Sequence, residues 1–517
     1  MLLTFGGLLL LLFGWLVVER LVGKAGLTKY ERVLRAKGER LTVAELILVA
    51  PEGENGAPDV VRLCGTLQNG KIIPIESPPP QMRMIAPGKA MRGASRSEWL
   101  TIDKEKVFTN RWEAVEADLQ MNEQTLKELR AALKKPVLYK RLNYEAGFKH
   151  LEFVHLMRLK RGGQWLSASG VNQLHHGNGG GALEDIEALT ALLRMQESEE
   201  LAIDQLVRFA IQYFAVAFTW EALESDSLDD PELERMQTAW SRLNFIDPVI
   251  HALRMERAMG RPCFDEARYS VKELAEAHSL QGAAVVVDAL TGSSRVPTAR
   301  DRVAVVDAIA RFIEKDVPEV ARKGVLYPVW QFAWSDQDQR QSWSIFQTLI
   351  DAAETAKEQH AALPLEEVQE ELDSLCEPGG LNRLRFLLSP MSGTARDLPK
   401  RSFQAQTQAE MAVCAIALKR YQLKHGKYPD TLSGLVPEFL ARHPIDYMDG
   451  GKLRYRVEGE DFTLWSVGVD GRDDGGNPGT VEADGKPRQM WRAPDAVWPR
   501  PASDDEIREY EKRKFGK

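Results

Sequence analysis

The chain has 517 residues, with 67 Lys and Arg against 75 Asp and Glu, and a formal net charge of −8. This length allows more than one domain with its own core, and the acidic balance does not favour nucleic acid as a partner. The four cysteines (Cys64, Cys263, Cys376 and Cys414) form no CxxC pair, so their spacing indicates neither a zinc site nor a disulfide framework.

The first predicted element is an apolar segment at residues 2–22. It approaches the roughly 20 residues that cross a bilayer, so we expect residues 1–23 to be an uncleaved transmembrane anchor with the lipid bilayer as its partner. The alternative is a buried helix. By the positive-inside rule, the basic residues after the span would keep the soluble part in the cytoplasm. They are Arg20, Lys24, Lys29, Arg32, Arg35, Lys37 and Arg40.

Residues 24–111 are predicted to be a juxtamembrane helix followed by a linker. Leu27 to Lys37 has the pattern of a short amphipathic helix that ends at Gly38, and Thr42 with Glu45 has the spacing of a capping box. The stretch from Pro51 to Trp99 is rich in Pro, Gly and Ser. It is predicted to be either a linker or a loop wrapped over the helical body.

Residues 112–390 are predicted to form an all-α body of packed helical hairpins, because apolar residues recur at steps of three and four. The segment Leu206 to Trp220 is apolar around most of its circumference. Arg208 within it would cost roughly 2.5–3.5 kcal/mol in mid-membrane. We therefore predict a central buried helix there, with a second membrane span as the alternative. The other predicted helices are Trp112–Lys134, Tyr144–Ser167, Ala182–Gln196, Glu199–Leu223, Pro231–Leu243, Val249–Met259, Ser270–His278, Thr298–Lys315, Tyr327–Ala361 and Leu365–Cys376.

Few residues of this body suggest a ligand. The loop from His175 to Gly181 precedes a helix, where free backbone amides can bind phosphate, but it lacks the lysine and the Ser or Thr of a P-loop. The adjacent His175 and His176 could bind a metal ion, although sequence neighbours seldom point at one ion. A flexible connection between helices is the favoured interpretation. The sequence contains no recognisable catalytic motif, and we predict that the protein is not an enzyme.

The C-terminal part is divided into a linker at residues 391–402, an α+β module at 403–481 and an extended tail with a final helix at 482–517. An apolar helix is predicted to end at Gly426, since Pro429 prevents it from restarting. A short helix from Thr431 to Leu440 follows. Alternation then predicts strands at Leu453–Val457 and Phe462–Val467, with a hairpin turn between them.

The ordered motifs of this module carry a resemblance. They are Tyr421, His425-Gly426-Lys427-Tyr428-Pro429, Pro444-Ile445-Asp446, Tyr455, and Ser466-Val467-Gly468-Val469-Asp470-Gly471. They look like the soluble half of a G-type pseudopilin of type II secretion, over about a fifth of the chain. The whole layout also resembles a group of uncharacterised bacterial membrane-anchored proteins. The resemblance implies a long helix cradled by a small antiparallel sheet. Because about 380 residues separate the apolar segment from this helix, we expect an appended domain instead of a filament subunit.

The resemblance also implies calcium, which G-type pseudopilins bind at a C-terminal loop. Asp470, Asp473 and Asp474 crowd one glycine-rich loop here, and Asp446 and Asp449 could lie across from it. Calcium prefers six to eight oxygen ligands, which such carboxylates supply. The alternative is that Asp-Gly pairs build tight turns without any metal. These five aspartates are the candidate calcium site, and no other cofactor is predicted.

Together these features predict a mainly α, single-pass, non-enzymatic membrane protein with a structural or protein-interaction role, associated with secretion or the cell envelope. We expect the inner membrane of a bacterial cell. The soluble part is placed outside the cytoplasm, because pseudopilin domains face outward, although the positive-inside count argues the reverse. The alternative functions are a hydrolase or a small-ligand receptor with a pocket in the helical body. The hydrolase would need His175, His176 or His251 to meet carboxylates in a cleft.

Overall fold

A computed structural model describes residues 2–73, 81–103, 106–144, 151, 153–274, 322–376, 382–481 and 489–516. The chain is mainly helical, with 64% helix and 9% strand, which confirms the predicted mainly α class. The predicted helix Thr298–Lys315 and the end of Ser270–His278 lie outside the described residues.

The helices and strands follow in chain order. The helices are α1 (Leu2–Ala36), α2 (Val43–Leu46), α3 (Ala57–Thr66), α4 (Trp112–Met121), α5 (Glu123–Leu133), α6 (Val154–His175), α7 (Gly179–Met195), α8 (Ala202–Leu223), α9 (Asp230–Ser241), α10 (Ile246–Tyr269), α11 (Tyr327–Val329), α12 (Ser335–Gln359), α13 (Leu363–Glu367), α14 (Gln369–Cys376), α15 (Asn382–Arg385), α16 (Leu398–His425) and α17 (Asp504–Phe515). The strands are β1 (Arg83–Ala86), β2 (Lys89–Met91), β3 (Glu98–Asp103), β4 (Lys106–Arg111), β5 (Arg454–Glu458), β6 (Asp461–Ser466), β7 (Ala496–Val497) and β8 (Arg500–Pro501).

The helix α1 is continuous where the sequence predicted a span and a separate short helix. Residues 10–15 are exposed, whereas Gly23 and Gly26 lie against side chains of α12. The helix therefore projects from the body at its N-terminal end and lies along α12 at its C-terminal end. Gly38, at φ +85°, follows the helix as predicted. The predicted Thr42–Glu45 capping box is also present.

The helix α8 lies at the centre of the body. By length and composition it could cross a membrane, but 78% of its apolar window is buried inside the protein. It packs against α6, α7 and α16. Gly170 of α6 allows the closest approach, because a Cβ atom at this position would lie 1.9 Å from Cζ of Phe218. Arg208 is fully buried and lies 4.3 Å from the ring centroid of Phe245. The predicted burial of this helix in protein agrees with these contacts.

The region predicted to be structureless, Pro51 to Trp99, contains α3 and the strands β1 and β2. Two buried carboxylates from distant helices hold it. Asp118 of α4 accepts hydrogen bonds from the amides of residues 71–73 at 2.7–3.1 Å. Glu221 of α8 accepts them from the amides of residues 82, 93 and 94 at 2.8–3.1 Å. Buried backbone amides need such partners, so this stretch is fixed onto the body.

The predicted linker at 391–402 is helical instead. A 3-10 helix covers Ser389–Ala395, and α16 begins at Leu398. Asp338 of α12 accepts the amide of Ser389 at 2.9 Å, which fixes the approach to α16. The helix α16 then packs against α8, α9 and α10 of the body as well as against β6. The module thus shares its central helix with the body.

The remainder of the module follows the predicted order. The strands β5 and β6 pair antiparallel from Arg454–Trp465 to Glu458–Asp461, and β7 pairs with the other side of β6. The predicted helix Thr431–Leu440 is shorter, a 3-10 helix at Leu432–Leu435. In the tail, β8 pairs with β2, and Ser503 caps α17, the predicted final helix.

Candidate functional site

A buried group of ionisable side chains lies where α6 and α8 begin. His155 is in the first turn of α6, Asp204 is in the first turn of α8, and Glu199 is in the connection before α8. Asp204 Oδ2 accepts the Leu201 amide at 3.2 Å. A carboxylate at this position also interacts favourably with the N-terminal end of the helix dipole. Helix capping thus explains how Asp204 is placed.

The three side chains converge on one point. His155 Nε2 lies 3.4 Å from Asp204 Oδ1 and 3.9 Å from Glu199 Oε2. One ligand atom from each residue lies within 4.8 Å of the other two. His155 is 6% exposed, and Glu199 and Asp204 are not exposed at all. Within the described residues, no other group of three or more His, Cys, Asp or Glu side chains has a geometry suited to a metal ion.

Lys140 supplies positive charge to this group. Its Nζ donates to Glu199 Oε1 at 2.9 Å and to Oε2 at 2.8 Å. Burial raises the pKa of Glu199 to about 7, with a further rise from Asp204, while Lys140 and His155 act in the opposite direction. A buried carboxylate is costly unless a cation compensates for its lost hydration, and Lys140 provides that compensation.

Three more ionisable residues surround the group. Glu200 Oε1 accepts the Leu48 amide at 3.2 Å, and Glu256 Oε1 accepts the Ala202 amide at 3.0 Å. Burial raises the pKa of both glutamates to about 7. Burial also raises the pKa of Tyr144 above its ordinary range, and the charge of Asp204 adds to the effect. Glu200 Oε2 is buried and has no hydrogen-bond partner among the described residues. The arrangement could hold a cation or exchange protons between imidazole and carboxylate.

Three of the five predicted calcium ligands surround an arginine. Asp446 Oδ2 accepts a hydrogen bond from Arg454 Nη1 at 2.7 Å, and Asp449 forms an ion pair with Arg454 Nη2. Asp473 Oδ2 lies 3.8 Å from Arg454 Nε. Asp446 is fully buried and also accepts the Val467 amide at 2.9 Å. The guanidinium group of Arg454 therefore supplies the positive charge between the carboxylates of Asp446, Asp449 and Asp473.

The other two predicted ligands have different surroundings. Asp470 Oδ1 accepts the Arg472 amide at 3.0 Å, which is the hydrogen bond of a tight turn. The amide of Asp474 donates to Asp495 at 3.3 Å. Asp495 is fully buried and accepts two further amides, those of residues 476 and 477. Sequence reasoning missed Asp495, although it organises the loop. Calcium binding here stays a prediction.

Of the histidines considered for an enzymatic alternative, His175 and His176 meet edge to face with ring centroids 5.1 Å apart, and His251 lies on another helix. His175 stacks on Trp112 at 4.4 Å between ring centroids, and its Nδ1 lies 2.8 Å from the Ala94 carbonyl oxygen. His176 is exposed and lies 2.9 Å from Glu116. His251 lies on α10 and is partly buried.

The predicted glycine-rich loop is used for capping. Asn178 caps α7 by accepting the Gly181 amide at 3.1 Å. The aromatic residues Trp330 and Trp343 are fully buried and belong to the core.

Sequence reasoning did not single out His155, Glu199 or Asp204. His155 and Asp204 are 49 residues apart, so no local motif joins them. One signal was present: the acidic pair Glu199-Glu200 directly precedes a long apolar helix whose first turn carries Asp204. Comparisons with protein-family models, with curated proteins and with solved structures find no match to this chain.

Proposed function

We propose that this protein is a single-pass membrane protein, held in the cell membrane by α1, whose soluble part serves a structural or protein-interaction role outside the cytoplasm. The observation that carries the proposal is the exposed apolar surface of α1. Leu10, Leu11 and Phe13 are 74%, 76% and 60% exposed. Soluble proteins rarely leave such a contiguous apolar surface in water, whereas a bilayer would bury it.

The length of the helix indicates how the body would meet the bilayer. Residues 2–18 precede the first charged side chains and span about 25 Å at 1.5 Å per residue, close to the roughly 30 Å hydrocarbon core. Side chains of the body contact the helix at Phe13 and Trp15, and residues 2–12 cover only about 17 Å. Placing Glu19 and Arg20 at the membrane boundary therefore brings residues 13–18 and the side chains packed on them into the interface.

A polar collar lies at that boundary. Glu19 accepts a hydrogen bond from Gln337 at 2.8 Å and forms an ion pair with Arg385 at 3.2 Å. Arg20 donates to the Phe332 carbonyl oxygen at 3.2 Å. The first charged residues of α1 are thus bound to the body, which fixes the angle at which the helix leaves it.

An aromatic rim lies on the membrane side of this collar. Phe13 stacks on Phe332 with ring centroids 6.2 Å apart, and Trp15 meets Trp334 edge to face at 6.1 Å. Tryptophan is enriched at the level of lipid headgroups. The aromatic rim and the polar collar together support an arrangement in which the surface of the body lies against the bilayer.

Charge placed on α1 tests the anchor. We expect the double change Leu11→Glu and Leu12→Glu to move the protein from the carbonate-resistant membrane fraction to the soluble fraction. The matched control is Val49→Glu, since Val49 is 91% exposed but lies outside α1. Unchanged membrane retention of the double variant, or equal release of the control, would contradict the proposal.

Two further measurements test the geometry and the side of the membrane. A lipid-soluble carbene reagent, mapped by mass spectrometry, should label Phe332 as well as residues 2–18, and should leave the exposed Tyr213 unlabelled. Alkaline phosphatase fused to the C-terminus should be active, and a cytoplasmic fluorescent protein fused there should be dark. The reverse pattern would place the soluble part in the cytoplasm.

The interaction role rests on the C-terminal module, whose resemblance to a pseudopilin remains a proposal. The motif residues contact one another, as such a module requires: the Tyr455 hydroxyl donates to the Pro429 carbonyl oxygen at 2.9 Å, and Ser466 donates to Asp446 at 2.7 Å. A photo-crosslinking residue at Arg472, on the exposed loop, should yield an adduct of defined mass in cells. The same residue at Arg508, on α17, is the control. Adducts at neither position would count against a partner at this module.

A further inference from the structure

We propose that His155, Glu199 and Asp204 bind one divalent transition-metal ion inside the helical body. One imidazole nitrogen and two carboxylate oxygens converge there from three separate elements. All three side chains are buried. The site goes beyond the membrane-anchored role proposed above and does not depend on it.

The distances require little adjustment to accept an ion. Ligand atoms about 2.1 Å from a metal lie about 3.0–3.4 Å apart at octahedral or tetrahedral angles. The separations from His155 Nε2 are 3.4 Å to Asp204 and 3.9 Å to Glu199. Small rotations of the side chains would therefore bring all three donors to bonding distance.

A second observation is independent of these distances. Glu200 Oε2 is buried without a hydrogen-bond partner among the described residues, and Glu200 is 1% exposed. Glu200 directly follows Glu199 in the chain and lies close enough for the charge of Asp204 to act on its carboxyl group. An ion bound by three protein ligands keeps water in its open positions. Such a water would supply the donor that Glu200 Oε2 lacks among the described residues.

Lys140 is compatible with the ion. Its ammonium group contacts both oxygens of Glu199. With the ion on Oε2, Lys140 keeps its hydrogen bond to Oε1 and orients the carboxylate, as outer partners of metal ligands commonly do. The carboxylates of Glu199 and Asp204 offset the charge of a divalent ion.

The donor set indicates the class of ion. Imidazole combined with carboxylate and water suits manganese, ferrous iron or zinc, while calcium prefers oxygen ligands alone. The competing interpretation is a protonated His155 that pairs with Asp204 and Glu199 and needs no ion. Metal content distinguishes the two.

The test uses the full chain, purified in detergent, stripped with a chelator, equilibrated separately with Mn²⁺ or Zn²⁺, and freed of unbound ions by gel filtration. We expect about one ion per chain to be retained, measured by elemental mass spectrometry. His155→Gln and Asp204→Asn should reduce retention at least about tenfold, as loss of a ligand does. The matched control is His176→Gln, which alters an exposed His–Glu pair and should retain the ion.

Two results would overturn the site: an unaltered chain that retains neither ion, or substituted chains that retain as much as the unaltered one. Circular dichroism verifies that each variant is folded. If either variant unfolds, the visible spectrum of Co²⁺ added to the unaltered chain decides. Ligand-field bands of a bound ion support the site, and the spectrum of aqueous Co²⁺ refutes it.

Discussion

Gly170 offers the sharpest test of how the helical body is packed. A Cβ atom at this position would lie 1.9, 2.2 and 2.7 Å from three atoms of the Phe218 ring, and Phe218 is fully buried. Ordinary contacts begin near 3.4 Å, so Gly170→Ala requires the ring to retreat by about 1.5 Å into a packed core. Overpacking of this kind costs about 1–3 kcal/mol of unfolding free energy, and a shift this large should cost close to the upper value of that range.

Helix propensity acts in the opposite direction, because alanine is favoured over glycine by about 1 kcal/mol inside a helix. The expected net loss for Gly170→Ala is therefore about 2 kcal/mol in the free energy of unfolding. The matched control is Gly260→Ala in α10, where an added Cβ meets nothing within 4 Å. That variant should gain up to about 1 kcal/mol from propensity alone.

Guanidinium unfolding followed by circular dichroism measures both variants. A second comparison isolates the contact: in a Phe218→Leu background the ring is gone, so Gly170→Ala should cost about 1–2 kcal/mol less than in the unaltered chain. If Gly170→Ala proves as stable as Gly260→Ala, or if its cost is the same in both backgrounds, the close packing of α6 on α8 is refuted.

Three further predictions concern charge. Burial raises the pKa of Glu221 from 4.5 to about 7. Protonated Glu221 should therefore stabilise the fold fully below pH 4.5, and roughly 3 kcal/mol of that stabilisation should be lost as the pH rises through 7. In Glu221→Gln, the urea midpoint of unfolding should change less between pH 4.5 and 8 than in the unaltered chain. A steeper fall in the variant would contradict this prediction. Arg208→Met removes the fully buried cation that pairs with Glu197 and should cost about 3–5 kcal/mol. A cost below about 1 kcal/mol, the range of an exposed pair, would refute this prediction. Calorimetry on the full chain tests the calcium prediction. Calcium should bind with measurable heat, and Asp470→Asn and Asp473→Asn should reduce that heat. Absence of binding heat in the unaltered chain would refute the prediction.

Patterns that depend on near neighbours were predicted well. Alternation placed β5 and β6 to within one residue at each end, and the Thr42–Glu45 spacing predicted the capping box that begins α2. The Pro/Gly-rich stretch was predicted to be either a linker or a loop wrapped over the helical body. It contains α3, β1 and β2, and its described residues are held on the body by Asp118 and Glu221, whose partners lie 45 to 139 residues away. No local pattern carries that information.

The candidate site was missed for the same reason. His155 lies in α6 and Glu199 in the connection before α8, and only packing brings them together. Composition around each of them is that of ordinary amphipathic helices. Buried acids are rare enough to attract attention, but their burial is visible only once the fold is known.

The buried group and residues 39–48, the segment that follows α1, are joined by hydrogen bonds between side chains and the backbone. Glu200 accepts the Leu48 amide, and the Leu48 carbonyl oxygen accepts the Tyr139 hydroxyl at 2.7 Å, directly before Lys140 in the chain. Glu39, at the other end of this segment, is bound by Arg257 of α10 at 2.7 Å. Residues 39–48 are therefore held at one end beside the buried group and at the other end by α10.

This arrangement predicts that a bound ion stabilises residues 39–48. The positive charge of an ion favours ionised Glu200, and an ionised acceptor makes the stronger hydrogen bond to an amide. Zn²⁺ should therefore slow hydrogen exchange at Leu48 in the unaltered chain and leave it unchanged in His155→Gln. The Ile72 amide, held by Asp118, is the internal control and should not respond. Equal protection of Leu48 with and without bound Zn²⁺ would show that the ion site and the segment after α1 are energetically separate.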